Sequence, residues 1–317
     1  MTEFRVGTCS WADRSLRSSG WYPARAGESA TRLEYYSQFF NTVEVDSAYY
    51  AIPDEDRFYH WAAHTPGDFV FNVKSYGLFT HHRVQVSTLP APARSLFPAE
   101  MSGKRVALDD IPREARRKVW DLFRERVMIL HGMKRLGYLL FQFPPWVRFD
   151  ETHLRYFRRI SDLAAPIRVA IEIRHRSWLE GRNRDRFLGL LKDENMALVA
   201  ADEPQLEWTP PFHWELTASW GGVIRLHGKN TEAWKNPGAT VEERFRYLYS
   251  EEELKQLRGT ITDMKGSAER VYIMFNNCFR DHSVKNALRM RELLGLAQKD
   301  GIPEQKALQL EEDTLFI

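Results

Sequence analysis

Val43 to Pro53 reads VEVDSAYYAIP, and its first four residues alternate branched apolar with acidic side chains. A strand turns successive side chains to opposite faces. Val43 and Val45 therefore share one face, and Glu44 and Asp46 share the other. What kind of sheet gives valines one side and two carboxylates the other is decided by the rest of the chain.

Eight runs have strand character. They are FRVGTCS from Phe4, TVEVDSAYY from Thr42, FVFNVKS from Phe69, LGYLLFQFP from Leu136, RVAIEIRH from Arg168, ALVAADE from Ala197, GVIRLHG from Gly222 and ERVYIMFNN from Glu269. Helical spacing of apolar residues falls between most of them, over 31–40, 119–133, 154–163, 186–191, 251–261 and 284–294. Alternating strand and helix predicts a parallel sheet with helices outside. Eight units in 317 residues favour a single α/β domain, a (β/α)8 TIM-type barrel. An open doubly wound sheet would call for a GxGxxG phosphate loop after the first strand, and none is present.

Two segments interrupt the alternation. EPQLEWTPPFHWELTASW, from Glu203 to Trp220, holds three prolines and three tryptophans and predicts an irregular connection between strands six and seven. A Pro-rich stretch from Leu89 to Pro112 marks an insertion after strand three, set at about 84–118. The barrel is expected over 1–296, with 297–317 as a polar C-terminal appendage.

A hydrophobic fraction of 43% suffices for a large core, and a net charge of +2 permits an anionic ligand without requiring one. Extended nucleic-acid binding shows stronger charge segregation. No apolar run approaches the ~20 residues that cross a bilayer. The first strand begins at Phe4, which leaves no room for a signal peptide and predicts a cytoplasmic protein with no membrane partner. The two cysteines, Cys9 and Cys278, imply no disulfide framework. They end strands one and eight, neighbours in a closed barrel, and so either form a pair or sit as unrelated buried thiols.

With the valines facing the helices, the alternation sends polar residues into the barrel. Strand two contributes Glu44 and Asp46, strand three Asn72 and Lys74, and strand four Gln142. Strand five contributes Glu172 and Arg174, strand six Asp202, strand seven Arg225 and His227, and strand eight Asn276. Barrel enzymes carry their active sites at this C-terminal face, whereas the barrel interior is ordinarily filled by branched apolar residues. Four acids and three strong bases could also neutralise one another as a purely structural network.

The ordered set GTCSW at Gly7, FNTVEVDSAYY at Phe40, FNVKSYGLFTHH at Phe71, FQFPP at Phe141, EIRHRSW at Glu172, RLHG at Arg225 and FNN at Phe275 resembles the DUF72 (YecE-like) family. The resemblance runs from strand one to strand eight and implies a TIM-type barrel. It implies no established activity. The family's first motif often has a glycine before the tryptophan, where this chain has Cys9 and Ser10 before Trp11.

Read from the residues, the pocket suits acid–base chemistry, with hydrolysis favoured, on a small substrate bearing phosphate or carboxylate, or on a nucleic-acid fragment. Lys74, Arg174 and Arg225 would hold the anion. Glu44, Asp46, Glu172 and Asp202 are the acid–base candidates, and His227 assists. Gln142 and Asn276 would orient the substrate. Trp11, Tyr49 and other aromatics after strand ends offer stacking faces, and His81 a phosphate contact. No cofactor is expected. One alternative is a binding protein for a small anion or nucleotide. Another is a metal-dependent phosphodiesterase or endonuclease-like barrel with zinc or manganese on Glu172, His175, Asp202 and His227. Three nearby cations oppose a metal there.

Overall fold

The eight runs become eight strands in the computed structural model of the chain, which describes residues 2–263 and 268–296. The strands are β1 (Glu3–Thr8), β2 (Thr42–Val45), β3 (Val70–Lys74), β4 (Leu136–Gln142), β5 (Val169–Glu172), β6 (Ala197–Asp202), β7 (Gly222–Leu226) and β8 (Arg270–Phe275). All pair in parallel, in the spatial order β1-β8-β7-β6-β5-β4-β3-β2.

The two ends of that order, β1 and β2, meet at a seam. A Cβ on Gly7 would lie 2.3 Å from the Thr42 carbonyl oxygen, so only glycine lets the strands approach this closely. Tyr36, on helix α1 (Ser29–Phe39), then bridges them. Its hydroxyl accepts from the Thr8 N–H at 2.9 Å and donates to the Thr42 carbonyl at 3.2 Å. A side chain thus satisfies backbone groups that a ladder would otherwise pair, and the sheet closes into the nearly complete (β/α)8 barrel expected.

Six further helices complete the outer layer. They are α2 (Glu55–Ala63), α3 (Arg113–Gly132), α4 (Glu151–Ala164), α5 (Gly181–Asp193), α6 (Glu251–Asp263) and α7 (His282–Leu293). Helix α4 shows why such segments fold as they do. The Asp150 carboxylate accepts from the His153 N–H at 2.8 Å and caps the first turn, and Leu154, Phe157, Ile160 and Ala164 form one buried stripe. Helix α2 has no counterpart in the sequence reading, because only Phe58 and Trp61 are buried on it.

No helix joins β6 to β7. Thr217 in that connection accepts from the Leu198 N–H at 2.8 Å and donates to the Met196 carbonyl at 2.7 Å, so the segment runs back along β6. Trp220 lies nearly parallel to Tyr138, with ring centroids 6.3 Å apart, and plugs the N-terminal end of the barrel. After β3, Val84–Gln85 and Arg105–Val106 form a short antiparallel ribbon around the helix Ala91–Arg94. Helix α3 begins at Arg113, inside the block assigned to the insertion, and its Arg113, Arg117 and Lys118 are exposed. Residues 297–317, expected as an appendage, lie outside the described residues.

Two apolar layers divide as the alternation requires. Val43, Val45, Phe71, Val73, Ile171, Ile224 and Leu226 belong to the layer shared with the helices. Val70, Tyr138, Leu140, Ala170, Val199, Val223, Tyr272 and Met274 fill the barrel interior. Among the described residues no helix is long and apolar enough to cross a membrane.

Candidate functional site

Paired residues of a parallel sheet face the same side, so the register assigns the lumen. Glu44 pairs with Asn72, Gln142 with Glu172, and Arg225 with both Ala201 and Met274. Above the apolar plug these residues begin a polar layer. Arg225 is fully buried; its Nη1 donates to Glu172 Oε2 at 2.5 Å and its Nη2 to Glu44 Oε1. Arg174 donates from Nη1 to Glu203, and its Nε lies 2.6 Å from Glu172 Oε1. That last contact is an ion pair with poor N–H alignment, since neither atom completes a hydrogen bond.

The result is a chain of alternating charge, Glu203–Arg174–Glu172–Arg225–Glu44. Burial pushes Glu172 upward, but Arg174 and Arg225 outweigh it and hold its carboxyl well below the usual range. The two end carboxylates each have one guanidinium. Burial raises Glu44 to about 7 against the pull of Arg225, and Asp46, within hydrogen-bonding reach, raises it further. Burial likewise raises Glu203 to about 7 against Arg174. His227 is fully buried, and burial and then Arg174 depress it to about 3. Its Nε2 lies 3.0 Å from Arg174 Nη2. The same Nε2 lies 3.3 Å from Glu172 Oε1, and Nδ1 lies 2.8 Å from the Asn276 amide nitrogen, a donor.

An open cleft of about 840 Å³ lies over this layer at the C-terminal face, lined among others by Asp46, Lys74, Gln142, Arg174, Asn276, Cys9 and Cys278. Lys74 has no carboxylate within ion-pair distance among the described residues; its ammonium sits over the Tyr49 ring, 4.8 Å from the centroid. Arg174 and Arg225, expected to hold an anion, already hold carboxylates. Of the three cations only Lys74 is uncommitted. Tyr50 and Trp208 present exposed faces at the mouth, and Trp234 lies over Arg174 at 5.4 Å.

Comparison with known proteins places this geometry. The family model "Protein of unknown function DUF72" matches residues 5–310. The chain belongs to the DUF72 family. It is 27% identical to the UPF0759 protein YunF of Bacillus subtilis (strain 168) over 305 residues, covering 95% of this chain and 98% of that protein. Crystal structures of DUF72 proteins from Enterococcus faecalis (TM-score 0.76, 95% of this chain and 99% of that chain) and Thermotoga maritima (TM-score 0.72, 92% and 99%) are each 25% identical to it.

Several expected positions of this DUF72 chain lie elsewhere. Asp202 pairs with Leu226, an outer-layer residue, and so faces the helices. Its carboxylate accepts from the Tyr249 hydroxyl at 2.7 Å. The lumen acid of strand six is the next residue, Glu203. Trp11 is buried edge-to-face against Trp61 of α2, and Trp178 is buried against Phe157 of α4, so neither reaches the cleft. His81 packs on Tyr156 and His153; its neighbour His82 lines the cleft instead, with burial and then Lys74 depressing it to about 4.

The four residues considered as metal ligands do not come together as a set. His175 Nδ1 accepts from the Ser177 N–H at 3.1 Å as a turn cap, Asp202 faces outward, and among the described residues no three His, Cys, Asp or Glu side chains converge as a metal site. Cys9 and Cys278 both line the cleft and are free. Burial raises both far above the ordinary thiol range, so they stand as thiols at neutral pH.

Proposed function

We propose that the chain is an enzyme that moves a proton on a small substrate bearing phosphate or carboxylate, held in the cleft above the charge chain. The observation that carries this reading is the Glu44–Asp46 carboxyl pair, one member buried and the other at the cleft wall. Burial, with Asp46 beside it, raises Glu44 to about 7, so Glu44 holds a proton near neutrality. Asp46 lines the cleft and is the member that meets the substrate.

Lys74 receives the anionic group. It is a lining cation without a carboxylate in ion-pair distance among the described residues, and it is steadied by the Tyr49 ring. Gln142 and Asn276 supply neutral hydrogen bonds beside it. Glu172 stays ionised between two guanidiniums and sets the local field, with no proton of its own to give. Hydrolysis is the favoured reaction class, since Asp46 stands in an open cleft that admits water.

The test is a thermal-shift and turnover screen of phosphorylated and carboxylated metabolites on the whole chain. A hit should lose affinity about 10- to 100-fold in Lys74→Met, the value of a charge-assisted contact. Asp46→Asn should keep the ligand-induced shift and lose turnover. Binding with no turnover by the unaltered protein would favour the plain binding protein, and turnover that survives Asp46→Asn would remove the carboxyl pair from the chemistry.

A further inference from the structure

The structure assigns Glu203–Arg174–Glu172–Arg225–Glu44 as one proton-sharing unit, in which a single proton resides at either end and the two end glutamates titrate together. This rests on the acid–base reading of the site and deepens it. Glu203 becomes a positioning residue for proton transfer at Glu44, on the far side of the barrel layer.

Charge counting comes first. The unit contains three carboxyl groups and two guanidiniums, and Glu44, Glu172, Glu203 and Arg225 are completely buried, with Arg174 nearly so. Fully ionised it carries one excess negative charge, which one proton cancels. A buried uncompensated charge is expensive. The other charged groups facing the unit do not supply the compensation. Asp46 and Lys74 face Glu44 from the cleft with opposite signs; His227 faces Glu172 as a neutral ring; Asp202 adds negative charge near Glu203; and Tyr138 and Cys9, beside Glu44, remain neutral.

Connectivity comes second. Each guanidinium is shared between two carboxylates through different nitrogens. Arg174 spans Glu203 and Glu172, and Arg225 spans Glu172 and Glu44, with Asp46 Oδ1 farther off at 3.8 Å from its Nη2. When Glu203 is neutral, Arg174 turns its charge to Glu172. Glu172 then draws less on Arg225, which holds Glu44 more firmly as a carboxylate. Protonating one end therefore favours ionisation of the other. The unpartnered, buried Oε1 of Glu203 is where a proton on that end would sit. The similar upward displacement of both ends agrees with this symmetry.

The experiment is a carboxyl-carbon NMR titration of glutamate-labelled whole protein, without substrate, so its outcome is independent of whether any turnover is found. In the unaltered protein the Glu44 and Glu203 resonances should each show the same two midpoints, the signature of coupled sites. In Glu203→Gln the remaining unit is neutral with Glu44 ionised, so the Glu44 midpoint should drop by more than about one pH unit. Glu44→Gln should lower Glu203 by the same amount, as linkage requires. One separate midpoint for each residue in the unaltered protein overturns the proposal. So does a Glu44 midpoint that Glu203→Gln leaves in place.

Discussion

Arg225 carries more of the site than any other residue, because it is fully buried and divides its guanidinium between Glu44 and Glu172. Replacing it with methionine keeps much of its volume, leaves the buried Glu44 without its guanidinium and leaves Glu172 with Arg174 alone. Breaking a buried pair in this way costs about 3–5 kcal/mol. The cost should be larger at pH 8 than at pH 5.5, since protonation of the orphaned Glu44 relieves it. Urea unfolding of Arg225→Met at the two pH values measures this, and an equal loss at both would show that the acids are not charged in the fold. The lumen position of Arg225 was legible from alternation alone, but its commitment was not. Alternation tells which face a side chain takes and nothing of which neighbour it meets. The exchange of Asp202 for Glu203 has the same root. A shift of one residue at a strand end moves a side chain to the other face. The run ALVAADE offers adjacent acids with nothing in the sequence to say which is inward.

The elements that close the barrel are β1, β2 and α1, and Tyr36 joins them. Tyr36→Phe keeps the ring in its buried place and removes the hydroxyl that accepts from Thr8 and donates to Thr42. An unpaired buried backbone group costs about 1–3 kcal/mol. Stability should fall by that amount, and the Thr8 amide should lose protection against hydrogen exchange more than amides in β5 or β6. Uniform loss of protection around the barrel would mean that the seam is no weaker than the other strand pairs. The strands and most helices could be read from the sequence because branched runs and amphipathic stripes recur with clean periods. Helix α2 could not, since nearly all its surface is polar and its two buried aromatics make too short a stripe to reveal a period. The absence of a helix between β6 and β7 was legible for the opposite reason: Pro204, Pro210 and Pro211 deny the segment consecutive helical hydrogen bonds.

For the molecule as a whole, the buried groups set how stability depends on pH, and they act in opposite directions. Glu44 and Glu203 rise from 4.5 to about 7 on folding. Between those values the folded chain holds protons that the unfolded chain has released. Their contribution is complete below about 4.5 and is lost as pH rises through 7. His227 and His82 fall from 6.5 to about 3 and about 4. Their contribution is complete above 6.5 and is lost as pH falls toward those values. From 4.5 to 6.5 the one proton that the end glutamates share opposes His227 and His82, with His81, His175 and His282 displaced the same way, so stability rises with pH. From 6.5 to 8 only the glutamates still release protons from the fold, so stability declines, by on the order of 1 kcal/mol per pH unit for each proton released. Below 4.5 the histidine loss continues, and Glu172, held ionised in the fold, adds to it. Unfolding free energies should therefore trace a dome with its maximum near pH 6.5, just below neutrality. The double variant Glu44→Gln, Glu203→Gln should flatten the alkaline side and leave the acid side in place. A curve for the unaltered protein that stays level or rises from pH 6.5 to 8 would mean that the end glutamates are already ionised in the fold, and the charge chain would then be a static scaffold with no proton to lend.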